Sequence, residues 1–394
     1  APTVVFEVDY SGFSPQAQQA FQRAVDIWSE LIVSPVPIHV SASFTPLDAN
    51  VLGAAGPNTV SANFSQAPFA NTWYPVALAN KISGSDLNGS QPEIVAHFNS
   101  SFSAWYFGTD GNTPFQDYDF VSVVLHELGH GLGLVDSMEV SGGQGSWGMN
   151  GRALVYDRFV ESNDGRQLID TSNFPNPSAG LGASLTSGNL FFDGTNANAA
   201  AGGRPRLFAP NPYQQGSSIS HLNLASYPPG DANSLMTPAL SNGVSTHNPG
   251  PIVLGIFKDL GWGIEAPTDT PITGLAAGND GPTTIGGPTK FTASVGAGTN
   301  VAYAWDFGDG KGGEGANVEH TYAAVGEYNA TVTASNAAGT QTASTTVVVN
   351  DVPIGGLTAS ANGPTNLGNP TTFTASVSAG TNVVFSWDFD DGQS

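Results

Sequence analysis

The stretch VVLHELGHGLGLVD, residues 123–136, concentrates side chains able to do chemistry. His126 and His130 are four residues apart, Glu127 follows the first, and Asp136 closes the stretch. On a helix, positions i and i+4 share a face, so both imidazoles can aim at one ion. Glu127 sits next to a ligand and can reach a water on that ion without being a ligand itself. Zinc lowers the pKa of such a water to about 7, and a carboxylate can take its proton and pass it to a leaving amine. These are the parts of a zinc hydrolase. A bare HExxH also occurs by chance on helices that bind nothing. Here it follows an apolar lead-in, with Asp119 placed to cap the start and Phe120, Val123 and Val124 to bury one side. Gly133 comes three residues after the second histidine, where a glycine can end the helix and turn the chain back towards a metal.

The 394-residue chain has no cysteine, so a metal must be held by His, Asp or Glu, and thiol nucleophiles are excluded. Hydrophobic residues make up 40%, enough for a sizeable core. Only 11% are charged, with 32 acids against 10 bases and a formal net charge of −22. That balance argues against nucleic acid or an anionic membrane as partner. It suits a soluble secreted protein, and the absence of cysteine is compatible with bacterial secretion. No apolar run reaches the length of a membrane span. Ala1-Pro2 leads straight into an apolar run, which reads as a mature N-terminus after processing.

Positioning elements can be read on either side of the motif. TVVFEVDY reads as a strand. Ser14 and Pro15 read as the N-cap and first position of a helix with Phe21, Val25, Trp28 and Ile32 along one face. PIHVSASF and PEIVAHFN read as further strands, and their His39 and His97 as structural. Ile252, Ile256 and Leu260 recur every four residues in a late helix that Gly261 can end. Near residue 265 the composition changes to short alternating runs of Thr, Ala, Val, Gly and Asn. This divides the chain into a unit over 1–263, a linker over 264–275, a β-sandwich over 276–350 and a partial repeat of it over 351–394. The repeat has a period of 82 residues, with Trp305 matching Trp387. The partial copy stops before its later strands, so stability of its own is doubtful.

Three resemblances follow. HELGHGLG resembles the HExxHxxG core of the metzincin metallopeptidases, and NSLMTPAL is similar to their methionine turn, with Met236 as the turn residue. WDFGDG followed by HTYAAVGEYNATVTASN resembles a PKD domain, an immunoglobulin-like module. The order Gly216-Ser217, His221, Leu235-Met236, Pro238 and Asp259-Leu260-Gly261 is similar to the leishmanolysin-like peptidases, which place a third histidine late, before the methionine turn. The chain departs from leishmanolysin itself in lacking cysteine. The resemblances imply an α+β metzincin-like catalytic domain followed by all-β sandwich modules.

Two residues compete as third ligand. Asp136 lies three residues after Gly133, where many metzincins carry theirs, and a carboxylate can bind zinc. The leishmanolysin-like order favours His221, which would leave the site its full positive charge; Asp136 is then a turn residue or orients a ligand histidine.

The expectation is therefore a secreted, extracellular zinc endopeptidase acting on protein or peptide substrates. His126, His130 and His221 hold one zinc, Glu127 is base and acid, Met236 forms the floor, and the PKD modules are spacers or binders of polysaccharide or matrix polymer. The competing reading is an extracellular binding or adhesion protein with a structural or degenerate metal site. A zinc hydrolase of non-peptide amides is a weaker third. Asp306, Asp309, Asp388, Asp390 and Asp391 are calcium candidates, although acidic glycine turns are common without metal.

Overall fold

The computed structural model describes residues 4–265, 269–336 and 338–392. Ala1 and Pro2, read as a mature terminus, lie outside the described residues, as do residues 266–268 of the linker.

Beside several two-stranded pairings, the N-terminal unit holds helices and a four-stranded sheet. Its strands are β1 (Phe6–Ser11), β2 (Ile38–Thr45), β3 (Gly53–Pro57) and β4 (Ile94–Asn99), in the order β1-β2-β4-β3. The first three in that order are parallel, pairing Phe6 with Ile38 and Val40 with Ile94. β3 closes the edge antiparallel to β4, pairing Gly53 with Phe98. Alternation decides the faces: Ile38, Val40 and Ala42 are buried, while His39 and His97 point outward. His39 meets Glu7 at 3.3 Å and His97 meets Ser43 at 2.6 Å, so both are structural.

Helix α1 (Pro15–Leu31) starts as its sequence predicts, with the Ser14 Oγ accepting from Ala17 N at 3.2 Å. Phe21, Val25 and Trp28 are buried along its inner face. Ile32 is buried too, but it has left the helix and opens a short strand, Ile32–Val33, that pairs with Gly263–Ile264. After α2 (Val76–Ser83) comes α3 (Phe120–Leu132), which carries the HExxH residues. Asp119 caps it, Oδ2 accepting from Ser122 N at 2.8 Å.

Two tryptophans fix α3 lengthwise. Trp28 Nε1 donates to Leu125 O and Trp262 Nε1 to Leu132 O, each at 3.0 Å. Downstream lie α4 (Ala179–Leu185), α5 (Thr195–Ala201) and α6 (Pro251–Leu260), the last ended by Gly261 at φ +117°. Asp259 of α6 accepts from Asn196 N and Ala197 N, both at 2.9 Å, and so supplies the cap that Gly194 cannot give α5.

The C-terminal part is all β. A three-stranded sheet is made of β5 (Ala276–Asn279), β7 (Pro288–Ser294) and β10 (Asn317–Thr321). A five-stranded sheet is made of β6 (Thr283–Thr284), β8 (Ala302–Asp306), β9 (Gly312–Glu314), β11 (Gly326–Asn336) and β12 (Gly339–Asn350). Phe291, Trp305, Phe307, Tyr322, Val332 and Val347 form their shared core. The second copy shows one hairpin, β13 (Thr358–Ala361) with β14 (Phe373–Ser376). Its start repeats the first: Asp269 accepts from Thr299 and Asn300, and Asp351 accepts from Thr381 and Asn382. Its core does not. Phe291 and Phe307 are 0% and 2% exposed, whereas Phe373 and Phe389 are 44% and 43% exposed.

Candidate metal centre

The site is assembled on α3. His126 and His130 project from one face, and His221 arrives from a loop 91 residues after His130. Their Nε2 atoms form a nearly equilateral triangle, with sides of 3.1 Å (His126–His130), 3.1 Å (His130–His221) and 3.2 Å (His126–His221).

Each ring is fixed through its other nitrogen. His126 Nδ1 donates to Leu235 O at 2.6 Å, His130 Nδ1 to Leu134 O at 2.6 Å, and His221 Nδ1 to Ser217 O at 2.8 Å. With Nδ1 carrying the proton, all three Nε2 lone pairs face one another. Three acceptors at that spacing repel unless a cation sits between them. Zinc–nitrogen bonds of about 2.0–2.1 Å in a tetrahedral site put ligand nitrogens about 3.3 Å apart, close to the observed triangle. Burial pushes all three imidazoles down, His126 to about 3, which keeps them in the neutral form a metal needs. The residues fit zinc.

Local structure explains each placement. Gly133, at φ +135°, ends α3 and swings Leu134 back so that its carbonyl meets His130. Met236 is fully buried beneath α3, and Leu235 beside it offers the carbonyl for His126. A Cβ on Gly129, the residue just before His130, would lie 2.9 Å from Met236 Sδ, so the glycine lets the Met236 side chain approach the helix closely. Leu222 N donates to Met236 O at 2.7 Å and ties the His221 loop to the same turn. Ile219 in that loop has φ +73°, rare for a β-branched residue and costing on the order of 1–3 kcal/mol. Its carbonyl is held by Tyr156 Oη at 3.0 Å, and its N–H by Phe208 O at 2.8 Å.

Glu127 points to the cleft side of the helix. Its Oε2 accepts from Ala55 N on β3 at 2.9 Å. Burial pushes its carboxyl up to about 7, against the Ala55 N–H; a cation on the three nitrogens would draw it down again. The cleft holds about 540 Å³ and runs past Gly53, Tyr118, Glu127, Thr237 and Leu240.

Asp136 is not brought to the histidines. It accepts from Met138 N at 2.8 Å, and burial, together with the charge of nearby Asp157, pushes its carboxyl up. Among the described residues, His126, His130 and His221 form the one group of three metal-capable side chains. The calcium candidates bond internally: Asp306 accepts from Gly308 N, Asp309 from Lys311 N and His320, and Asp388 from Asp390 N. The sequence reading missed Ala55 and Leu134, and took Ser217 only as a landmark, because each acts through its backbone, which has no side-chain signature. It treated Trp28 as core alone, and Trp262 carried no signal beyond its size.

Residues 275–349 and 356–394 match the family model for the PKD domain. These modules are PKD domains. Solved structures similar to this part include the PKD domain of the human VPS10 domain-containing receptor SorCS2, at 26% identity and TM-score 0.18, covering 21% of this chain and 78% of that one. Another is the PKD1 domain of the Vibrio cholerae metalloprotease PrtV, at 25% identity and TM-score 0.17, covering 19% of this chain and 94% of that one. Among the described residues, no helix is long and apolar enough to cross a membrane.

Proposed function

We propose that the chain is a secreted, extracellular zinc-dependent endopeptidase of the metzincin kind, with an order of landmarks that resembles the leishmanolysin-like peptidases. The observation that carries this reading is the triangle of His126, His130 and His221 Nε2 atoms with the Glu127 carboxylate beside it at an open cleft. Zinc bound there supplies Lewis acidity towards a water and a scissile carbonyl. The chain's own groups do the rest. The three Nδ1–carbonyl bonds hold the imidazoles in the ligating tautomer. Glu127 takes a proton from the attacking water and delivers it to the leaving amine, with Ala55 N–H keeping its Oε2 in place. The edge strand β3 and residues 237–240 wall the cleft and orient an extended substrate.

The Glu127→Gln variant tests the reading against the adhesion alternative. With zinc still bound, casein hydrolysis falls by about 10²–10⁴-fold. A zinc-loaded parent that cleaves no protein or peptide would instead favour a binding protein with a structural metal.

A further inference from the structure

The first PKD domain is packed onto the metal-bearing unit. Its three-stranded sheet meets the segment 110–115, which leads into α3. Asn317, at the start of β10, donates its Nδ2–H to Thr113 O at 2.9 Å. The Lys290 ammonium of β7 lies 5.5 Å over the Phe115 ring. Asn112 shares a recess of about 370 Å³ with Gly278, Thr292, Ser294 and Asn317.

From Thr113 the contacts continue inward. Thr113 is fully buried, and its Oγ1 donates to Asp119 Oδ1 at 3.1 Å. Asp119 Oδ2 takes Ser122 N at 2.8 Å and Ser122 Oγ at 2.5 Å, which caps the first turn of α3. His247, downstream of Met236, lies 2.7 Å from the same carboxylate oxygen. Asn242 donates to Phe115 O at 2.7 Å, so the segment after Met236 also grips 110–117. An unbroken polar chain thus joins the PKD sheet to the end of the helix that bears His126, Glu127 and His130. A domain serving as a spacer has no need of a side-chain amide on a carbonyl of the segment feeding the reactive helix.

We propose that the first PKD domain is a positioning part of the metal-bearing unit, with Asn317 fixing segment 110–115 and, through Thr113 and Asp119, the first turn of α3. The consequence for zinc and catalysis rests on the metallopeptidase reading above; the coupling to α3 does not.

The test uses the full chain with Asn317→Ala, Asn317→Gln and Lys290→Glu. Lys290 is about half exposed on the sheet surface, outside the sandwich core, and its other partner is Glu319 at 3.9 Å on β10, so the contact is read from exchange at 110–124 rather than within the sandwich. Three quantities are read: hydrogen exchange of backbone amides 110–124 with and without zinc, zinc affinity by chelator competition, and kcat and KM on a peptide too short to reach the PKD domain. In Asn317→Ala and Lys290→Glu, exchange in 110–124 quickens about tenfold, zinc binds about three- to fivefold more weakly, and kcat drops with KM unchanged. Asn317→Gln, which keeps the amide donor, returns towards the parent. Exchange in 110–124 equal to the parent in both Asn317→Ala and Lys290→Glu would overturn the proposal. A parent that binds zinc and hydrolyses nothing sinks the peptidase reading instead, and the exchange result still decides this one.

Discussion

Each of the three imidazoles uses both of its nitrogens, and that division of labour defines the site at the scale of the residue. Nδ1 is spent on a carbonyl, so Nε2 has only its lone pair to offer. Hydrogen bonding among the three Nε2 atoms cannot satisfy them in this tautomer, whereas a divalent cation can. Asp136, the nearer candidate in sequence, has its own partner in Met138 N and a charged neighbour in Asp157. Metal analysis separates the two residues. If the site holds zinc as proposed, the expected outcome for His221→Ala is a fall from about one ion per chain to a small fraction, because two imidazoles on one helix would leave the ion half coordinated. Asp136→Ala keeps it. Full zinc and full activity in His221→Ala would remove that residue from the ligand set.

At the scale of the element, α3 is fixed at both ends and along its length. Trp28 and Trp262 anchor its carbonyls, Asp119 caps its start, Gly133 ends it, and Met236 lies beneath. The approach on that lower side is close. Gly129→Ala puts a Cβ at 2.9 Å from Met236 Sδ, so the Met236 side chain, the turn or the helix has to give. The expected cost is about 1–3 kcal/mol of unfolding free energy, less whatever helix propensity alanine returns. Denaturant melts of the metal-free protein measure it; a variant as stable as the parent or more stable would mean that Met236 relaxes freely. Because Leu235 O orients His126, the same change also weakens zinc binding.

At the scale of the whole molecule, two copies of one sequence pattern meet different fates. In the first PKD domain β11 and β12 cover Phe291, Trp305 and Phe307. In the second, the corresponding rings Phe373, Trp387 and Phe389 still cluster, yet β13 and β14 alone cannot cover them. Limited proteolysis of the 394-residue chain should therefore cut first within 351–392, leaving a fragment that retains residues 4–350. Early cleavage between α1 and α6 would contradict the burial seen here.

Much of this was legible in the chain. The i, i+4 histidines, the Asp119 cap, the Ser14-Pro15 helix start, the late helix ended by Gly261 and the 82-residue repeat follow from local rules of period, capping and turn chemistry. Sequence alone left the third position divided between Asp136 and His221, because spacing constrains only residues on one element. A loop 91 residues away is brought in by contacts that carry no pattern: a Leu222–Met236 backbone bond and a left-handed Ile219 held by Tyr156. The carbonyls of Leu235, Leu134 and Ser217, which turn the rings of His126, His130 and His221, carry none either. The same holds for the seating of the PKD sheet on segment 110–115. Local chemistry wrote the helix with its two histidines and glutamate; which distant groups meet them was decided by backbone hydrogen bonding and close packing, which only the tertiary structure displays.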